Sequence, residues 1–483
     1  MLKLIVIIHS IKELNNMFKY GPEITEQQLL EHSLLLEGKL INQIGNQDEV
    51  NIWLGNTKNK GALGNAIQAC YFGVPANSIK GADFNFHNIE LKVTPVKKVK
   101  PSKRNNMITL AAKERLVLTI INYMEDWKYP FETSPLIKKS NEMLLIFYLH
   151  ELDTEIRDMK ILKSQKFTIP LEDWPTIRED YEIITNKIKA GLAHELSESD
   201  TIYLSACTKG AGKGKDFRQQ PFSEIKAKQR AFSFKNSYMT NYFNSIYDPS
   251  YIESLSIHQS ESLTQYIDNK FMPFENMNIE QVAKQLNYLP STTIDTDKGF
   301  LPRLSAKILD VKDTNLNNLE QFQKANIKFK TIRLRKDKAN NQDMSFPNID
   351  FEEILNVPFE DSSWNELFAE TKYLFVLFEE TAEGTFFRKS LLWNMSHKDL
   401  VNLEKLYNHL KQMLLDKTIE INIIEKNGRE YWQDNTPKKA FIPNIHIRTK
   451  GTKQHSTTIL PDGRLIKKKC LFLNKEYIHS LFN

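Results

Sequence analysis

Cysteine is scarce in this chain of 483 residues: there are three, Cys70, Cys207 and Cys470, far apart and odd in number. No CxxC pair or Cys/His cluster offers a zinc site, and the isolated thiols build no disulfide framework, so reduced cysteines of a cytoplasmic protein are expected. Long apolar runs are missing as well. Leu2–Ile8 is apolar apart from one lysine, yet too short for a membrane span and without a small-residue cleavage site. It reads as a short buried element, or as an upstream extension of a chain that begins at Met17. Charge of one sign is absent too, since 65 basic residues face 60 acidic ones for a net +5. That balance excludes a highly charged disordered tail and by itself says little about partners. What is present is 41% apolar and 11% aromatic residues, enough to bury cores, on a length that predicts two to four domains.

Internal repetition organises the chain. Lys60-Gly61-Ala62-Leu63 recurs as Lys298-Gly299-Phe300-Leu301, and Asn88-Ile89-Glu90-Leu91-Lys92-Val93 as Asn326-Ile327-Lys328-Phe329-Lys330-Thr331. Pro130-Phe131-Glu132-Thr133-Ser134 returns as Pro358-Phe359-Glu360-Asp361-Ser362, each followed by an aliphatic-aromatic segment, Met143–Tyr148 and Tyr373–Phe378. Thr208-Lys209-Gly210 then matches Thr449-Lys450-Gly451, and the basic run ending in Tyr238-Met239 matches that ending in Tyr477-Ile478. The common order and nearly constant offset predict two domains of one fold, residues 1–250 and 265–483, joined by a polar linker at 251–264.

Each copy reads as a helix, extended segments, a helix and more strands. Thr25 is a plausible cap for a helix over Thr25–Ile41 carrying Leu29, Leu30, Leu34 and Ile41 at helical spacing. Ile89–Val96 alternates and suits a strand, and Met143–Tyr148 suits a fully buried one. The class is mixed α+β, a central sheet flanked by helices in each of two tandem domains.

Within the first copy, Asp83, Glu90 and Lys92 form D-x6-E-x-K. Two residues apart on a strand, Glu90 and Lys92 leave the same face. A turn after Gly81 brings Asp83 beside them. Converging carboxylates suit Mg²⁺, which leaves positions open for water and phosphate, and a neighbouring lysine stabilises charge on the phosphate. Phosphodiester hydrolysis needs that set. The E-x-K element alone is unspecific, because Glu37-Gly38-Lys39, Glu224-Ile225-Lys226 and Glu370-Thr371-Lys372 also fit. The repeat adds weight: at the same offset the second copy has Gln321, Lys328 and Lys330, so the strand pattern survives without carboxylates, as in an inactive twin.

Basic stretches follow. Lys92–Arg115 holds eight Lys/Arg against Glu114, and Cys207–Lys235 eight against Asp216 and Glu224. Aromatic and small polar residues are interleaved, suiting a surface for phosphates and base edges. Lys209–Lys215 (KGAGKGK) lacks the G-x4-G-K-[ST] pattern and reads as a flexible basic loop.

These segments, with Lys113-Glu114-Arg115-Leu116, His194-Glu195-Leu196-Ser197 and Lys226–Met239, resemble the MutH family, specifically its two-domain members that act as type II restriction endonucleases. The resemblance covers nearly the whole chain. It implies Mg²⁺-dependent cleavage of both strands of DNA at GATC, on the 5′ side of the G. Asp83, Glu90 and Lys92 would be catalytic, with Asp83 and Glu90 on the metal, and Lys139 matches a further active-site lysine. Lys60 matches a DNA-contacting lysine, and the family glutamate eight residues beyond it is replaced here by Gln68, an uncharged member of the catalytic set. Thr208, Lys209 and the strand Arg230–Phe234, including Ser233, match base-reading elements, joined by Arg218 and Lys228. The C-terminal copy is implied to bind a second GATC duplex, through Arg448, Lys450 and Lys468, and to activate the first. Lys139 has Leu367 as its counterpart there. A monomer that pairs on its palindromic site is expected. The alternatives are a nicking repair endonuclease and a DNA-binding protein with a weakened site.

Overall fold

The computed structural model describes residues 18–55, 61–75, 81–99, 109–210, 216–250, 252–288, 297, 299–335, 342–426, 429–450 and 456–482. They form two compact units: the described residues within 18–196, 201–262 and 323–325, and those within 197–200, 263–322 and from 326 on. Leu263 and Thr264, expected in the linker, instead open a helix, Leu263–Phe271, whose Leu263, Tyr266, Ile267 and Phe271 are buried. No described helix is long and apolar enough to cross a membrane.

In the first unit, helix α1 (Glu26–Leu34) starts at Thr25 with a complete capping box to Gln28. It stops seven residues before the expected Ile41, because Gly38 adopts φ +85° and donates its N–H to the Ile161 carbonyl. Helix α2 (Gln47–Leu54) is capped by Asn46, and α3 (Ala62–Ala66) runs into a π turn at Ile67–Tyr71. These elements cover one face of a four-stranded sheet of order β2-β1-β4-β5, comprising β1 (Glu90–Val99), β2 (Thr109–Ala112), β4 (Glu142–Leu149) and β5 (Ile161–Thr168). Strands β1 and β4 are parallel, with Glu90 beside Met143 and Lys92 beside Leu145.

Alternation along β4 explains its apolar sequence. Leu144, Ile146 and Tyr148 join Leu29, Val50, Ile67 and Phe84 in the core under the helices, while Phe147 on the opposite face meets Phe243 with ring centroids 4.9 Å apart. A strand covered on both faces has no position for a polar side chain. A second sheet, β3-β9-β6, consists of β3 (Leu116–Ile120), β6 (Leu204–Thr208) and β9 (Arg230–Phe234), with a hairpin of β7 (Phe217–Gln220) and β8 (Ser223–Lys228) between β6 and β9.

The second unit repeats this plan. Strands β10 (Ile327–Leu334) and β12 (Lys372–Thr381) are parallel, with Lys328 beside Tyr373 and Lys330 beside Phe375, the register that Glu90 and Lys92 hold against Met143 and Leu145. Strand β13 (Gly384–Trp393) pairs antiparallel with β12 as β5 does with β4. Its second sheet, β11-β19-β16, joins β11 (Met344–Asn348), β16 (Ile445–Thr449) and β19 (Lys469–Leu473) in the order of β3-β9-β6. An extra hairpin, β14 (Ile421–Lys426) with β15 (Arg429–Asp434), has no counterpart among the described strands of the first unit.

Candidate active site

A tight bridge builds the site. Phe84 and Ile89 exchange backbone hydrogen bonds, with Asn88 at φ 55°, a left-handed conformation that asparagine tolerates. The chain therefore doubles back, and the Leu91 N–H donates to Asp83 Oδ2 at 3.0 Å, which docks the carboxylate on the strand bearing Glu90 and Lys92. From the other side comes Lys139, on helix α4 (Pro135–Ser140). Ser134 caps that helix by accepting from the Ile137 N–H, with proline at its first turn, so the short helix is held in place to present its lysine.

Glu90 is the hub. Its side chain is 6% exposed; Lys92 Nζ lies 2.9 Å and Lys139 Nζ 3.4 Å from Oε1. The other oxygen, Oε2, is buried without a protein partner. A buried carboxylate oxygen with no donor is costly, and such orphans mark places where water, an ion or substrate completes the structure. Burial raises the Asp83 carboxyl above its ordinary range, and the neighbouring Glu90 raises it further, against the opposing pull of the Leu91 N–H, Lys92 and Lys139. A divalent cation removes both penalties at once, so the donor set fits a hard metal ion. Among the described residues no group of three or more His, Cys, Asp or Glu side chains gathers. Any ion held here would have these two carboxylates and take its other ligands from neutral oxygens, water or substrate. Gln68 is buried within the π turn that continues α3, a helix that packs on β1. Such turns recur at functional sites because they displace one side chain from helical phase.

The second unit answers the same geometry with different chemistry and corrects one assignment. There the Phe329 N–H, equivalent to that of Leu91, donates to Asn317 Oδ1 at 2.8 Å. Asn317, not Gln321, is thus the counterpart of Asp83. The offset shortens by four residues in this loop, which a constant spacing misses. Asn326 at φ 52° repeats Asn88, Gly299 caps its helix as Gly61 does, and Ser362 repeats the Ser134 cap. The scaffold is kept; Asp83 is matched by Asn317, Glu90 by Lys328, and Lys139 by Leu367.

Of the remaining sequence candidates, Thr208, Lys209, Arg218 and Lys228 are exposed and Arg230 half-buried. Thr208 pairs with Arg230 across β6 and β9, Arg218 with Ala227 across β7 and β8, and the Lys209 N–H donates to the Gln229 carbonyl, so they form one patch. Arg230 Nη1 also donates to the Ala206 carbonyl at 2.6 Å. Ser233 leaves the set. It is fully buried, its hydroxyl 2.9 Å from that of Ser205, because β9 turns that side chain into the sheet interior. Exposed Phe217, Phe222 and Ile225 on the β7–β8 hairpin extend the patch; the signal for them was the interleaving of aromatics with basic residues. In the second unit Arg448 pairs with Asp343 at 3.0 Å and lies 4.0 Å over the Phe472 ring, Lys450 Nζ donates to the Phe346 carbonyl at 2.7 Å, and the Lys468 carbonyl accepts from the Lys450 N–H. Lys60 and residues 211–215 lie outside the described residues.

Residues 72–180, which carry Asp83, Glu90, Lys92 and Lys139, match the family model of the DNA mismatch repair enzyme MutH. Over 416 residues the chain is 31% identical to the type II restriction enzyme Sau3AI of Staphylococcus aureus, an alignment covering 81% of this chain and 82% of that enzyme. With a likeness that extends across both copies of the fold, this chain belongs to the MutH-like type II restriction endonucleases.

Proposed function

We propose that the protein hydrolyses both strands of DNA at 5′-GATC-3′, on the 5′ side of the G, using Mg²⁺ held by Asp83 and Glu90. The observation that carries the metal-dependent cleavage is the unpartnered buried Glu90 Oε2 beside Asp83, with two lysines on the other oxygen, while the GATC site and the cut position rest on the family resemblance. Bound there, Mg²⁺ supplies a Lewis acid and lowers the pKa of water at the phosphate. Asp83 and Glu90 hold the charge in place, the buried strand keeps them rigid, and Lys92 and Lys139 offset negative charge on the scissile phosphate. Gln68, in the place of the family glutamate, offers a neutral oxygen instead of a charged one. The exposed patch of Thr208, Lys209, Arg218, Lys228 and Arg230 supplies phosphate contacts and base reading.

The first unit is the cutting domain, and the second, taken up by the helix that opens at Leu263, is an effector domain that binds a second GATC duplex and activates the first. The protein acts in the cytoplasm as a monomer that pairs on its palindrome, since a palindrome is met by two-fold protein symmetry. The test is plasmid cleavage with Mg²⁺ or with EDTA, followed by sequencing of the ends. Ends at GATC only with Mg²⁺ are expected; ends elsewhere, or cutting in EDTA, would overturn the reading. For the effector, cutting of a one-site duplex should speed up when an uncleavable GATC duplex is added, and competition alone would remove that role.

A further inference from the structure

The second unit has a cavity beside the strand position that Lys92 holds in the first. It is an open hollow of about 490 Å³ over strand β10, and among the residues lining it are Asn315, Phe329, Lys330, Thr331 and Ser345. Phe329, Lys330 and Thr331 hold the places of Leu91, Lys92 and Val93. No acidic residue lines this hollow. In the first unit Lys92 is tied to Glu90, whereas the Lys330 side chain has no hydrogen bond or ion pair among the described residues and its Nζ sits 5.8 Å from the Phe346 ring centroid.

At the catalytic positions of the first unit two carboxylates and two ammonium groups cancel, and a divalent cation would bring the site to a net double positive charge. The second unit reaches that charge with protein alone: Lys328 and Lys330 are cationic, and Asn317 and Leu367 are neutral. Burial, followed by the nearby Lys450, lowers the pKa of Lys330, a penalty that an anion in the hollow would relieve. The Lys450 ammonium is fixed on the carbonyl of Phe346, the residue whose ring Lys330 approaches. A neighbouring hollow shares Thr331 and Met344 and continues along β10 past Arg333, Arg335 and Lys475, as a groove following a polyanion would.

We propose that this cavity is a metal-independent phosphate site. It takes one backbone phosphate of the second DNA duplex, with Lys330 supplying the charge and Asn315, Thr331 and Ser345 the neutral donors. The inference rests on the effector reading above: one metal ligand is replaced by asparagine and the other by lysine, so the strand keeps its affinity for phosphate and gives up the means to cut.

The test uses full-length protein carrying Asp83→Ala, in EDTA, titrated with a labelled GATC duplex at several salt concentrations. Two duplexes per chain are expected. Adding Lys330→Ala should weaken the second by roughly threefold to tenfold and reduce its salt slope by about one, the signature of one lost phosphate contact. Lys330→Arg should retain both, which separates charge from folding. Two duplexes bound with the second unchanged in affinity and slope in Lys330→Ala would overturn the proposal while sparing the effector reading. A single duplex bound by the parent protein would instead remove the effector reading. Inorganic phosphate then decides: protection of Lys330 from acylation keeps the anion site with a free anion as occupant, and no protection overturns it.

Discussion

The two copies differ less in shape than in charge. Both hold a left-handed asparagine before the strand, Asn88 and Asn326, both dock a side-chain oxygen on the next strand's N–H, and both cap the following helix with serine. Around the site, what changed between them is the charge of the side chains: Asp83 is matched by Asn317, Glu90 by Lys328 and Lys139 by Leu367. A fold held by backbone hydrogen bonds and buried aliphatic residues tolerates exchange of its site residues, because those residues contribute little to its stability and part of their cost is electrostatic. Function is set by the residues placed on the scaffold.

The largest expected effect breaks the comparison at its centre. Asp83→Ala or Glu90→Ala should lower cleavage by at least about a thousandfold while leaving DNA binding in place; a loss within tenfold, measured on single-site plasmid, would remove these carboxylates from the chemistry. Lys139→Ala should cost less, on the order of ten- to a hundredfold, because Lys92 also faces Glu90 and Lys139 is the more exposed of the two.

The reverse experiment sharpens the comparison. Asn317→Asp with Lys328→Glu rebuilds a carboxylate pair in the second unit. Calorimetry should then detect one more Mg²⁺ per chain than in the parent, and an unchanged stoichiometry would mean that the retained scaffold is insufficient.

A pH prediction follows from Asp83. Its folded pKa is raised, chiefly by burial, so the folded state favours the protonated form, and metal-free stability falls as pH rises from the ordinary carboxylate pKa through the raised one. Asp83→Asn should therefore raise the metal-free melting temperature at neutral pH and blunt the gain on adding Mg²⁺. Melting curves in EDTA that show no difference between the two proteins would contradict this.

The smallest effect is a symmetric control: Ser134→Ala and Ser362→Ala should each cost about 1 kcal/mol through loss of a helix cap. Only the first should also lower cleavage, since its helix carries Lys139. Equal activity in both variants would show that the cap does not position the lysine.

Much of this was legible in the sequence because the signals were local or repeated. Thr25 announced its helix, the alternation from Ile89 announced its strand, and the apolar run at Met143–Tyr148 announced a strand covered on both faces. The D-x6-E-x-K spacing with its degenerate repeat pointed to the site. Other features lay outside that reach. Ser233 is polar in a basic, aromatic segment, yet β9 turns it inward against Ser205, and only pairing across strands decides which face a residue occupies. The counterpart of Asp83 was displaced by four residues, because loops change length while the hydrogen bond they serve is kept.

The sequence by itself determined the two-copy organisation, the strand bearing Glu90 and Lys92, and the loss of carboxylates in the second copy, since each is written in residue order and periodicity. Only the tertiary structure decided that Lys139 reaches Glu90, that one oxygen of Glu90 is buried without a partner, and that Lys330 opens into a hollow free of acidic residues. Those facts depend on parallel strand register and helix placement, which bring together side chains that no local pattern in the sequence relates.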